Sequence, residues 1–130
     1  MFQRDYIQRM LDAVAQIIAR VLRLIAQKKP DEAEQALGEG YSALSIDREL
    51  LLMLDGPSLR AHFQDEDKLL MAARLLLCDC EVQIHKGEPR AAARRLKAAR
   101  RILTEHGAPP PEVSAELARV TAALEAGTTP

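Results

Sequence analysis

The sequence predicts an all-α chain of about six or seven helices arranged as antiparallel hairpins in one domain. Three observations predict this. Apolar residues recur at three- and four-residue spacing along most of the chain. Pro30, Pro57, Pro89 and Pro109 to Pro111 fall at the joints between those periodic segments. No run of β-branched alternation occurs. At 130 residues the chain is long enough for one core and too short for two.

The first helix is expected from Asp5 to about Lys28. Its apolar residues, Tyr6, Ile7, Met10, Leu11, Val14, Ile17, Ile18, Val21, Leu22, Leu24 and Ile25, fill three positions per heptad without a Gly or Pro. That stripe is wider than a two-position coiled-coil seam, so it should meet more than one neighbour. Pro30 and Asp31 restart the chain at a helix N-terminus, where Pro is tolerated and acids suit the dipole. This second helix should run to about Ala43. Two short pieces follow, one at Leu50 to Leu54 capped by Asp47, the other ending at Phe63 after the Asp55-Gly56-Pro57-Ser58 break.

Asp65-Glu66-Asp67 opens the next helix. Leu69 to Cys78 is apolar around nearly the whole circumference, interrupted only by Arg74, which predicts a central position. Gly87 should end it in the left-handed conformation, and Glu88-Pro89 should start a helix that reaches His106. A last helix is expected over 112–126. The domain then spans 1–126, and 127–130 should fray.

Composition excludes several classes. Eighteen basic against nineteen acidic residues leave a net charge of -1, so no global field draws the chain to nucleic acid or an anionic membrane. Four aromatic residues and no Trp are too few for stacking platforms on single-stranded nucleic acid. Charges interrupt every stretch well before the ~20 apolar residues that span a bilayer, and Met1 to Met10 lacks the apolar run of a secretory signal. Cys78 and Cys80, two positions apart on one helix, point about 200° apart and cannot bridge. A reducing, cytoplasmic setting is expected.

Two hairpins share a spacing at an offset of 59 residues. In the second, Gly87 is followed by Ala92, Leu96 and Ala99; in the first, Lys28 is followed identically by Ala33, Leu37 and Gly40. This resembles the tetratricopeptide pattern, whose second helix carries small residues where paired helices approach closely. The first helix of each hairpin lacks the expected Trp, Leu-Gly and Tyr, and the offset is not the usual 34. The opening Met1-Phe2-Gln3-Arg4-Asp5-Tyr6-Ile7-Gln8-Arg9-Met10 is similar to the start of a family of small bacterial all-helical proteins. That resemblance implies a bacterial cytoplasmic source and a helical repeat fold, and it carries no catalytic residues.

Two surfaces invite a function. Arg74, Cys78, Glu81 and His85 fall at i, i+4, i+7 and i+11, a polar stripe on the central helix. In a tetratricopeptide-like unit this helix lines a peptide groove, where Arg74 would hold a carboxylate and Glu81 and His85 would read donors. The same stripe also fits an internally paired edge, with Glu81 and His85 as an i,i+4 pair. The second surface is the basic helix, with Arg90, Arg94, Arg95, Lys97, Arg100 and Arg101 within twelve residues. It suits phosphate contacts, or a solvated face paired with Asp65 to Asp67 or Glu112.

No metal site is expected, because Cys78, Glu81 and His85 have no second ligand element and His62 and His106 are isolated. Gly38-Glu39-Gly40-Tyr41-Ser42-Ala43 matches a dinucleotide fingerprint by letter but follows a helix, where the phosphate turn cannot form. No nucleophile elbow, Walker loop or paired acid and base stands out, and the carboxylates are read as lying on polar helix faces. The expected role is a non-enzymatic protein-interaction module without cofactor. Self-association as a homodimer would follow if the first helix's stripe exceeds what one chain covers. The alternative is a nucleic-acid-associated protein using Arg90 to Arg101. A small-molecule pocket between hairpins is left open by the sequence.

Overall fold

The computed structural model describes residues 2–128. Among them are α1 (Phe2–Ala26), α2 (Pro30–Ala43), α3 (Arg48–Met53), α4 (Gly56–Phe63), α5 (Glu66–His85), α6 (Pro89–His106) and α7 (Pro111–Thr128), with no strand. α1 starts three residues before its expected start at Asp5 and stops two residues short of Lys28. α7 runs through Gly127 to Thr128. Met1, Thr129 and Pro130, part of the expected domain and tail, lie outside the described residues.

The short connections share one device. Asp47, Asp55 and Asp65 each sit in extended backbone and accept the N–H three residues on, from Leu50 at 3.1 Å, Ser58 at 2.8 Å and Lys68 at 3.0 Å. Each side chain satisfies a donor that the first helical turn leaves unpaired, a contribution of about 1 kcal/mol. Between α4 and α5, Gln64 takes a left-handed conformation that reverses the chain in two residues.

The 59-residue repeat extends from spacing to backbone geometry. Lys28 and Gly87 are both left-handed, at φ 60 and 76°. Lys28 N–H donates to Ile25 O and Lys29 N–H to Leu24 O; Gly87 N–H donates to Ile84 O and Glu88 N–H to Gln83 O. The two helix ends thus close with the same pair of bonds. Lys29 and Glu88 then lead into Pro30 and Pro89 with matching φ of -120 and -114°. Downstream, Ala33, Leu37 and Gly40 are buried in α2 as Ala92, Leu96 and Ala99 are in α6. Gly40 has a steric reason: a Cβ there would stand 2.9 Å from Leu75 Cδ1.

α1 packs on α2 and α5 on α6, and α5 also touches α1, α2, α4 and α7. Its all-round apolarity is thereby used, with Leu69, Leu75, Leu76, Leu77 and Val82 fully enclosed. α3 and α4 lie against α6, and α7 covers α5 and α6. The chain buries the centre of the wide α1 stripe and leaves its edges part-exposed. Leu11, Val14, Ile18, Val21 and Ile25 are buried, Ile7, Met10, Ile17, Leu22 and Leu24 are half-buried, and Tyr6 stays 63% exposed. No described helix is long and apolar enough to cross a membrane.

The paired turns predict opposite effects of exchange. Gly87→Ala should cost about 1 kcal/mol by forcing a Cβ into left-handed backbone, whereas Lys28→Gly should gain up to ~1 kcal/mol by relieving it. Urea unfolding of the two variants measures both; a Gly87→Ala protein as stable as the wild type would contradict the equivalence.

Candidate functional site

The polar stripe of α5 is a seam for part of its length. Glu81 accepts a forked pair of hydrogen bonds from Arg119 of α7, at 2.7 and 3.2 Å. Arg74 Nε lies 3.8 Å from Glu116 Oε2. Burial pushes the Glu116 carboxyl above its ordinary value, while the nearby Arg74 and Arg119 charges oppose that rise. Cys78, between these pairs, is buried, and burial drives its thiol far up. Cys80 is likewise enclosed, its thiol pushed up to about 12 by burial and the adjacent carboxylates. Neither cysteine offers a reactive thiolate.

His85 lies beyond the α5–α7 ion pairs and is exposed. It does not pair with Glu81, whose carboxylate Arg119 holds. Both residues line a cleft of about 640 Å³ between the C-terminal ends of α1 and α5, together with Leu22, Ile25, Ala26, Lys28 and Pro30. Its floor is aliphatic and its rim carries Lys28, Glu81 and His85. Of the sequence-selected groove residues, Glu81 and His85 therefore share this cleft, and Arg74 does not line it.

The basic helix divides: Arg90, Arg94 and Lys97 share one exposed face, while Arg95 and Arg101 are held by internal bonds. Arg95 turns inward, with Nε 3.3 Å from Asp79 and Nη1 3.3 Å from Ala91 O. Arg101 donates to Leu54 O at 2.6 Å and so ties α6 to the α3–α4 connection. Arg94 pairs with Glu49 at 3.8 Å and Arg100 donates to Thr121 at 3.0 Å. Arg90, Arg94 and Lys97 remain exposed. Of the acids expected to pair with this helix, Asp65 and Asp67 bind Arg4 of α1, while Glu66 pairs with Arg60 of α4 and lies 3.7 Å from His106 at the end of α6.

Sequence reasoning placed the carboxylates on polar faces, and Asp79 corrects it. Asp79 is wholly buried. Tyr41 Oη donates to it at 2.5 Å, Gln83 Nε2 at 2.9 Å and Arg95 Nε at 3.3 Å, with Arg48 Nη1 at 3.5 Å. Glu34 forms an outer layer, accepting from Arg48 at 2.6 Å and Gln83 at 2.8 Å, with Lys86 Nζ at 3.8 Å. Burial and the Asp79 charge raise the Tyr41 hydroxyl well above its ordinary value, so it stays a donor. Burial would also raise Glu34, but the bonds from Arg48 and Gln83 outweigh it and hold the carboxyl below its usual 4.5. The available signal was one acid inside the run Leu75-Leu76-Leu77-Cys78-Asp79-Cys80, which demands a buried partner.

No group of three or more His, Cys, Asp or Glu among the described residues is placed to hold a metal ion. No protein-family model, curated protein or solved structure matches the chain.

Removing one member of the buried pair should expose its value. Asp79→Leu should cost about 3–5 kcal/mol in urea unfolding, because Arg95 keeps a buried charge without its carboxylate, and Asp79→Leu/Arg95→Leu should cost less than the sum of the singles. Tyr41→Phe should cost about 1–2 kcal/mol.

A second prediction concerns acid. Because the Glu34 carboxyl is depressed in the fold, its stabilising contribution is present above 4.5 and is lost as pH falls below it. The stability difference between wild type and Glu34→Gln, followed by chemical denaturation across that range, should shrink towards low pH. A constant difference would contradict this.

Proposed function

We propose that this protein is a non-enzymatic, tetratricopeptide-like interaction module that takes a segment of a partner protein in the cleft between α1 and α5. The observation that carries the reading is the cleft's composition, an aliphatic floor of Leu22, Ile25, Ala26 and Pro30 beneath a rim of Lys28, Glu81 and His85. An apolar centre with a polar border is the anatomy of a protein-binding surface, where burial supplies affinity and the border sets orientation. The matched turns at Lys28 and Gly87 support the hairpin-repeat reading. Two free, buried thiols suit a reducing, cytoplasmic setting.

A second copy is the less fitting occupant, since the centre of the α1 stripe, Leu11, Val14, Ile18, Val21 and Ile25, is buried inside the chain. The basic helix is the less fitting surface, because Arg95 and Arg101 are committed to internal bonds.

Selection of displayed random peptides on the wild-type protein tests the reading. Selected peptides should bind Leu22→Asp at least about tenfold more weakly, the loss of one desolvated anchor. They should also shift amide resonances around Leu22, Ile25 and His85. Peptides that bind the variant equally well, or perturb residues elsewhere, would sink the assignment.

A further inference from the structure

We infer that the cleft between α1 and α5 selects acidic partner segments carrying aliphatic anchors; this rests on reading the cleft as the docking site. The cleft has three ionisable rim groups, Lys28, Glu81 and His85. Glu81 is the only acid among them, and both its oxygens are engaged by Arg119. Its carboxylate is thus neutralised and has little left to offer a cationic visitor. Lys28 and His85 both stand exposed on the rim.

The backbone around the cleft points the same way. Leu24 O and Ile25 O are capped by Lys29 and Lys28 N–H, and Gln83 O and Ile84 O by Glu88 and Gly87 N–H. The helix ends beside the cleft therefore hold few free acceptors for a partner's lysine or arginine. Lys28, Lys29 and Lys86 directly follow the C-terminal ends of the two helices in sequence, where positive charge is favoured. What the rim presents is one fixed cation and an imidazole N–H above aliphatic surface. Leu22, Ile25 and Pro30 call for a branched aliphatic side chain, and Lys28 and His85 call for a carboxylate beside it.

Three fluorescein-labelled synthetic peptide pools decide the matter: one rich in Leu, Ile, Asp and Glu, one with Lys and Arg replacing the acids, and one with Ser and Gly replacing the aliphatics. Binding is read by fluorescence anisotropy at low and high salt, with amide shifts locating it. The acidic aliphatic pool should bind wild type best, weaken with salt, and lose about tenfold on Lys28→Glu/His85→Glu, while the basic pool gains. Both replaced side chains are exposed, and unchanged thermal melting confirms that the variant folds. Equal or stronger binding of the basic pool at the wild-type cleft overturns the charge inference and leaves the docking site standing. If no pool shifts resonances at Leu22, Ile25 or His85, the docking site falls with it.

Discussion

A carboxylate enclosed in the middle of an apolar helix is the constraint around which the rest of the molecule is arranged. Left alone, the Asp79 charge would cost several kcal/mol to hold away from water. Its partners arrive from four elements: Tyr41 from α2, Arg48 from α3, Gln83 from α5 itself and Arg95 from α6. Apolar contact is non-directional and would tolerate small slides of one helix along another. Hydrogen bonds of 2.5 to 3.3 Å do not, so this network pins the register in which both hairpins meet. Glu34, with Lys86 beside it, extends the network outward and holds Arg48 and Gln83 in defined positions.

The repeat supplies the frame in which that network can form. Equivalent turns at Lys28 and Gly87 bring α2 and α6 back along α1 and α5, and small residues at matched positions let the helices approach. The segment between the two pairs is accommodated by three aspartate N-caps in succession, which start α3, α4 and α5. Arg101 then fastens the α3–α4 connection to α6. Local capping, bonds from Arg60 and Arg101 across to and from α6, and the burial of Leu51, Leu52, Leu59 and Phe63 hold helices of six and eight residues that would not be stable alone.

The same economy of charge shapes the surface. α7 turns most of the polar stripe of α5 into an interhelical seam of alternating charges, Arg74 with Glu116 and Glu81 with Arg119. Beyond those pairs, His85 is left on the rim of the cleft with Lys28, over the aliphatic ends of α1. On α6 the arginines divide between internal bonds and solvent.

The all-helical class, the central place of α5, the helix starts at Asp47, Pro30 and Pro89, and the equivalence of Lys28 with Gly87 were all legible in the sequence, whereas the Asp55-Gly56-Pro57-Ser58 stretch read there as a break caps and opens α4. Each rests on forces acting over a few residues: periodic burial, the missing N–H of proline, side-chain capping and left-handed backbone. The cleft, the α5–α7 seam and the inward turn of Arg95 were decided only by tertiary structure. A side chain as long as arginine reaches carboxylates 16 or more positions away in sequence, and helical periodicity cannot say which one. Asp79 stands between the two: its place in an apolar run declares that it needs partners, and only the packing of four helices supplies them.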